Sequence, residues 1–190
     1  MTRGRGRQVR RVRQAQTTVL IVGEGDTDVA FIRHLSRLYN VRGCGVSVTI
    51  RNAHGYGPEQ VLEYAIGQAR VGDYDRRAAL LDTDMPWTEV VKKRARSKRI
   101  EMLPSDPCLE GLLLRILNKP VPPQSDLCKR ELQGLDLKDP ACYQKYFPEL
   151  RARFPSNRQQ TVFLSGVDEA FTAAVVLLHP PIPSWLCGFV

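Results

Sequence analysis

Cysteine and histidine are scarce and scattered in this chain of 190 residues. The five cysteines include no Cys-x-x-Cys pair, and the three histidines lie far apart in the sequence. Because a zinc site needs such ligands at short spacing and a disulfide framework needs paired cysteines, the sequence predicts neither and favours a reducing cytoplasm. No hydrophobic run approaches the ~20 residues of a membrane-spanning helix. No apolar segment of a secretory signal follows the arginine-rich start, so we predict no membrane contact.

Acidic residues are absent before Glu24, although the chain has a net charge of +8 and 25% charged residues. A basic surface of this kind attracts polyanions, and nucleic acid first among them. We predict that residues 1–16 form a disordered basic tail that either keeps the protein soluble or binds nucleic acid or a partner. The tail contains six arginines: Arg3, Arg5, Arg7, Arg10, Arg11 and Arg13.

Short apolar runs alternate with helical patterns from residue 17 to residue 118. The sequence predicts strands at 17–22, 46–50, 78–81 and 99–103, and helices from 26 or 27 to about 39, from 58, from 86 to about 97, and over 108–117. Strands separated by helices pair in parallel, and strands that are apolar throughout are covered on both faces. We therefore predict an α/β core with an open, mainly parallel sheet and helices on both faces.

The pattern loosens after Asn118, where a proline-rich break begins. Two helical segments are predicted near 126–133 and 141–154, followed by a strand over 161–164 and a last helix over 168–178. We predict that residues 119–190 form a smaller, mostly helical C-terminal extension that packs on the core.

Glu24 lies between Gly23 and Gly25, directly after the first apolar run. A dinucleotide-binding loop would need a third glycine where this chain has Asp28. Acidic residues there would also repel a phosphate at the start of the helix. The alternative, that the glutamate itself is the working group, is therefore favoured.

A second acidic pair, Asp82 and Asp84, follows the third predicted strand. Carboxylates two residues apart at a strand end point the same way and can bind one Mg²⁺ while leaving room for water and a substrate phosphate. If the third strand lies beside the first, Glu24 meets them at the edge where open parallel sheets bind ligands. Three carboxylates there would repel one another without a metal. A turn or a helix cap is the alternative explanation of the Asp pair.

Glu24-Gly25 and Asp82-x-Asp84, each after an apolar strand, resemble the Toprim domain of topoisomerases, primases and overcoming-lysogenization-defect nucleases. More narrowly, three blocks over 17–117 resemble the RloB-like family: LIVGEGDTDVAF, LLDTD and SDPCLEGLLL. The family pattern has Thr-Glu where this chain has Thr27-Asp28, and an aromatic residue where it has Leu109.

The resemblance implies a nuclease that depends on Mg²⁺ or Mn²⁺, cleaves RNA or DNA in bacterial antiviral defence, and works beside a separate ATPase. Asp82 and Asp84 would hold the metal, and Glu24 would be a further ligand or a general acid/base. Glu110 is either a ligand of a second metal or an ordinary glutamate at a helix start. The alternatives are a non-catalytic subunit that binds nucleic acid or a partner, and nucleotidyl transfer as in primases.

Further candidates lie around these acids. Asp28 and His54 are possible accessory residues of the site, although a surface position is the alternative for His54. Asp106 is either a further accessory residue or the cap of the fourth helix. Six basic residues after the Asp pair are predicted to follow the phosphates of a nucleic acid, or to form only a solvated face: Lys92, Lys93, Arg94, Arg96, Lys98 and Arg99.

Overall fold

The computed structural model describes residues 17–40, 45–55 and 57–147. In this part of the chain four strands alternate with helices, and two short helices follow. The elements are β1 (Thr17–Gly23), α1 (Asp26–Tyr39), β2 (Val46–Asn52), α2 (Pro58–Val71), β3 (Arg76–Asp82), α3 (Glu89–Ser97), β4 (Glu101–Ser105), α4 (Leu109–Ile116), α5 (Ser125–Glu131) and α6 (Pro140–Tyr146).

The four strands pair in parallel in the order β2-β1-β3-β4. β1 therefore lies inside the sheet with β3 directly beside it, and Val19, Leu20, Ile21 and Val22 are 0% exposed. Parallel strands that are covered on both faces have such unbroken apolar runs. The predicted parallel α/β sheet is confirmed, and the condition for Glu24 to meet Asp82 and Asp84, a third strand beside the first, is fulfilled.

Helices cover both faces of the sheet, as predicted. Val19 and Ile21 face a cluster that includes residues of α1, α4, α5 and α6. Leu20 and Val22 face the opposite side, where α2 and α3 pack. Six residues of the described C-terminal part lie in the first cluster, among them Cys128 of α5 and Tyr143 of α6. This packing places α5 and α6 on the side of the sheet that also carries α1 and α4.

α3 begins later than the sequence predicts, at Glu89 instead of Pro86. The Thr88 hydroxyl accepts a hydrogen bond from the backbone N–H of Val91 at 3.2 Å. This side-chain cap satisfies a free N–H of the first turn, which a proline two residues earlier cannot do.

β4 lies two residues further along than the predicted strand at 99–103. Arg99 has a φ of 53°, which is outside the extended region, so the strand cannot include it. Pro104, which the sequence suggests is part of a turn, is a strand residue. Proline is tolerated there because β4 is an edge strand of the described sheet, where one row of backbone groups needs no partner.

Several predictions fall outside the described residues: the basic tail over 1–16, the strand over 161–164 and the helix over 168–178. Of the predicted helix over 141–154, the described part is α6. None of the helices in 17–40, 45–55 and 57–147 is both long and apolar enough to cross a bilayer.

Candidate functional site

Glu24 and Asp82 meet at one edge of the sheet because β1 and β3 are neighbours. Gly23, the last residue of β1, pairs with Leu80, and β3 runs two residues further, so Glu24 lies close to the level of Asp82. The backbone N–H of Asp82 donates to Glu24 Oε2 at 3.5 Å. This edge, at the carboxyl ends of parallel strands, is where open α/β sheets bind their ligands.

Asp82 and Asp84 project toward the same layer of helices. Asp82 Oδ1 accepts from the backbone N–H of Leu109, the first residue of α4, at 3.2 Å. Asp84 Oδ2 accepts from the hydroxyl of Ser125, the first residue of α5, at 2.7 Å. The residue between them, Thr83, instead donates its hydroxyl to Asp106. The two carboxylates are therefore fixed by the starts of two neighbouring helices.

Asp28 lies in the first turn of α1 and is buried, with 8% of its surface exposed. Its Oδ2 accepts from the backbone N–H of Gly25 at 2.8 Å. A side chain at Gly23 would begin 2.8 Å from the Asp28 Cβ and 3.1 Å from the Val29 nitrogen. Gly23 therefore lets α1 approach the end of β1 closely and carry Asp28 toward Glu24.

Burial and mutual repulsion perturb this acidic group strongly. Burial raises the pKa of Asp82 to about 8, and the charges of Asp28, Glu24, Asp84 and Glu110 add to the effect. Burial likewise raises the pKa of Asp28 to about 7, against the opposing hydrogen bond from Gly25 and with further repulsion from Glu24 and Glu110. Five carboxyl groups thus interact at one end of the sheet, and charge must be removed or neutralised there.

A lysine of α5, which sequence reasoning missed, lies beside these acids. Although burial opposes its charged form, the carboxylates of Glu110, Asp82 and Asp84 and the Cys108 thiol raise the pKa of Lys129 above its usual range. Lys129 also lines a cavity of about 210 Å³ between Thr27, Glu110 and Lys138. The sequence around Lys129 has no motif that could have marked it. Its position depends on how α5 packs against α4.

The donors at this edge are those that a hard divalent cation prefers, namely carboxylate oxygens. One oxygen each of Glu24, Asp82 and Asp84 accepts the hydrogen bonds described above. The other oxygen of each has no hydrogen-bond partner among the described residues. In the same part of the chain, however, no three His, Cys, Asp or Glu side chains are grouped closely enough to hold a metal ion. The residue types therefore fit a metal, and their side chains do not converge on one point.

Two of the predicted accessory residues are placed differently from the acids. Asp106 does not cap α4, because Cys108 is the N-cap residue. Its carboxylate accepts from Thr83 at 3.0 Å and from Arg115 at 2.7 Å, and so ties the end of β3 to α4. His54 is exposed on the loop after β2 with a φ of 63°. Its backbone N–H donates to Asn52 Oδ1 at 2.7 Å.

The Cys108 thiol is fully buried at the start of α4. Burial raises the pKa of this thiol to about 12, with a smaller contribution from the charge of Glu110. A thiol that is protonated at neutral pH is a poor nucleophile. Packing is therefore the role that the surroundings of Cys108 support.

The six predicted phosphate-binding residues lie along α3 and just after it. Because β3 and β4 are parallel, α3 returns from the acidic edge to the opposite edge of the sheet, so Lys98 and Arg99 lie farthest from Asp82. Three residues pair with acids: Lys92 and Arg96 with Glu89 at 3.0 and 3.6 Å, and Arg94 with Glu63 at 2.6 Å. The other three are exposed and have no acidic partner in the described part of the chain: Lys93, Lys98 and Arg99.

Comparison of the chain with protein-family models, with curated proteins and with solved structures finds no match.

Proposed function

We propose that the protein is a divalent-metal-dependent nuclease of the Toprim type that cleaves phosphodiester bonds of RNA or DNA. The observation that carries the proposal is the group of five interacting carboxyl groups at the carboxyl ends of β1 and β3, in which the pKa of Asp82 rises to about 8. Burying repelling acids destabilises a fold unless a cation compensates them. The resemblance of the sequence to the RloB-like family supports the same assignment.

Asp82 and Asp84 would hold Mg²⁺ or Mn²⁺, with Glu24 as a third ligand and Glu110 toward a second ion. A bound metal would supply positive charge that polarises a phosphodiester and stabilises the leaving oxygen.

Other groups of the chain would orient the ligands, exchange protons and balance charge. The backbone N–H of Leu109 and the Ser125 hydroxyl orient the two aspartates. Glu24, where it is not a ligand, would exchange a proton with the attacking water. Lys129 would offset the negative charge that a substrate phosphate brings to this edge.

The remaining expectations belong to the same proposal. The net charge of +8 favours nucleic acid as the substrate. The family resemblance adds a cytoplasmic role in antiviral defence and a separate ATPase as partner. An enzyme controlled in this way would be silent until its partner binds.

The decisive experiment is cleavage of a panel of transfer RNA, single-stranded DNA and duplex plasmid with Mg²⁺, Mn²⁺ or EDTA. We expect cutting by the wild type that requires metal and is lost in Glu24→Gln and Asp82→Asn. Asp73→Asn, an exposed acid between α2 and β3, is the matched control and should cut normally. Cutting that persists in Asp82→Asn would contradict the proposal.

A second candidate is a non-catalytic subunit that binds nucleic acid or a partner. It is favoured by one observation: among the described residues, no three His, Cys, Asp or Glu side chains lie close enough together to hold a metal ion. The same panel separates the two functions, since this candidate predicts nucleic-acid binding without cutting in any metal. Isothermal titration with Mn²⁺ adds a second measurement. Binding that Asp82→Asn abolishes supports the enzyme, even where a missing partner keeps it inactive.

A further inference from the structure

A groove of about 510 Å³ runs between α3 and the edge strand β4. Its apolar surface comes mainly from Trp87, Ile100 and Met102. Its charged side chains are Glu89, Glu101, Lys92 and Arg96. The volume lies within the range of pockets that hold small organic ligands. The groove lies on the face of the sheet that carries α2 and α3, outside the acidic group.

Trp87 connects the groove to the acidic edge. Its indole N–H donates to the backbone oxygen of Asp82 at 3.0 Å. The half-buried ring packs against the cluster that contains Leu81 and Val91. An aromatic ring is thus held at the end of β3, beside the residue with the most perturbed carboxyl group at this edge.

The groove is lined by two basic side chains, Lys92 and Arg96, and by two acidic ones, but the segment that forms it is basic. Between Thr88 and Glu101 the chain has six lysines and arginines and only two acidic residues, Glu89 and Glu101. Glu89 is 78% exposed and pairs with both Lys92 and Arg96. An exposed ion pair of this kind contributes little to stability, so an incoming phosphate can replace Glu89 on both basic side chains.

We propose that this groove binds an unpaired nucleotide of a single-stranded nucleic acid, with the base stacked on Trp87 and the adjoining phosphates on Lys92 and Arg96. Single-strand binding proteins combine a basic groove with an aromatic ring in this way. The bases of a duplex are already stacked and paired, so they cannot reach the ring. The inference extends the proposed function by naming its substrate class, and it rests on that function only for the cleavage of the bound strand.

Binding is measured in EDTA, so that no metal-dependent cutting intervenes. The probes are a fluorescein-labelled single-stranded 12-mer of mixed sequence and the same strand annealed to its complement, followed by fluorescence anisotropy. We expect Trp87→Leu to weaken single-strand binding roughly tenfold or more, with duplex binding unchanged. Val71→Ala, at an 84% exposed position at the end of α2, is the control and should bind like the wild type.

Three further variants separate stacking from anchoring and from charge. Trp87→Phe keeps a stacking ring but loses the hydrogen bond to Asp82, so it should retain most of the affinity. Glu89→Gln removes the carboxylate that competes with phosphate, so it should bind more tightly. Lys92→Gln should reduce the slope of log K against log salt by about 0.7, the value for one phosphate contact on a single strand.

Fluorescence gives a direct readout of the ring. The chain has two tryptophans, Trp87 and Trp185, and in a Trp185→Phe background the strand should quench the emission of Trp87. Unchanged emission on binding, equal affinity of wild type and Trp87→Leu, or a preference for the duplex would each overturn the inference.

The outcomes distinguish this inference from the proposed function. If cutting depends on a metal but Trp87→Leu does not change binding, the proposal for the groove is wrong and the proposal of a nuclease stands. If binding depends on Trp87 but no strand is cut, the proposal for the groove stands and the non-catalytic binding subunit is favoured. Absence of strand binding, of cutting and of Asp82-dependent Mn²⁺ binding would overturn both.

Discussion

Asp82→Asn should stabilise the protein, and by an amount that depends on pH. The folded state holds the Asp82 proton up to a pKa of about 8, whereas the ordinary value is 3.8. Because the folded state binds the proton more tightly, the free energy of unfolding falls as the pH rises from about 4 to about 8 and is constant above it. Asparagine keeps an oxygen for the N–H of Leu109 but carries no charge, so the free energy of unfolding of the variant should not fall in this way.

The magnitude follows from the pKa values. At about 1.4 kcal/mol per pKa unit, the change from 3.8 to about 8 corresponds to at most about 6 kcal/mol. Asp82 is only partly buried, and solvent and the coupling to Asp28 reduce this ceiling. We expect Asp82→Asn to be more stable than the wild type by about 2–3 kcal/mol at pH 8.5, and close to it at pH 4.

Urea unfolding followed by circular dichroism, in EDTA at several pH values between 4 and 8.5, measures the difference. Asp73→Asn should show no such trend, because this exposed carboxylate has no described side-chain hydrogen bond. A difference between Asp82→Asn and the wild type that is the same at every pH would refute the reasoning, since Asp82 would then ionise normally in the folded state.

Three other perturbations test neighbouring features. Mg²⁺ or Mn²⁺ at 100 times its dissociation constant should stabilise the wild type by about 2.7 kcal/mol in thermal unfolding at pH 8; an equal shift in Asp82→Asn would place the ion elsewhere. Gly23→Ala should cost about 1–3 kcal/mol, measured by urea unfolding, because the new methyl group would lie 2.8 Å from the Asp28 Cβ; unchanged stability would show that α1 moves aside freely. Thr88→Ala should cost about 1 kcal/mol in the same assay through loss of the cap on Val91, and Thr88→Ser should restore it if that hydrogen bond is the cause.

The sheet could be predicted because each strand is marked by its own short apolar run in the sequence. Apolar runs that end in Gly23 and Asp82 specify buried parallel strands. The acidic residues meet at one edge only because β3 lies beside β1, which the order of the elements along the chain does not determine. The start of α3 at Glu89 was missed because two helix-start signals compete there, a proline and the capping Thr88. β4 was displaced because Pro104 fits a turn as well as it fits a strand at the edge of a sheet.

The remaining site residues depend on packing between distant segments. Ser125 and Lys129 lie at the start of and within the helix predicted near 126–133, but they reach the acids only because α5 packs on α4. Trp87 is half-buried in a loop, and neither its bond to the Asp82 oxygen nor its groove has a sequence signature. Local patterns therefore predicted the acidic residues at this edge and not the groups that orient or neutralise them.

The central place of β1 also affects how the chain folds during synthesis. Val19 pairs with Val48 on one side and with Arg76 on the other, so β1, the first of the described strands in sequence order, obtains its second neighbour only after β3 has been synthesised. Contacts between residues so far apart in sequence make folding slow, and an unpaired apolar strand is prone to aggregate meanwhile. Chains interrupted before β3 would expose one whole side of β1, which makes them natural clients of a chaperone.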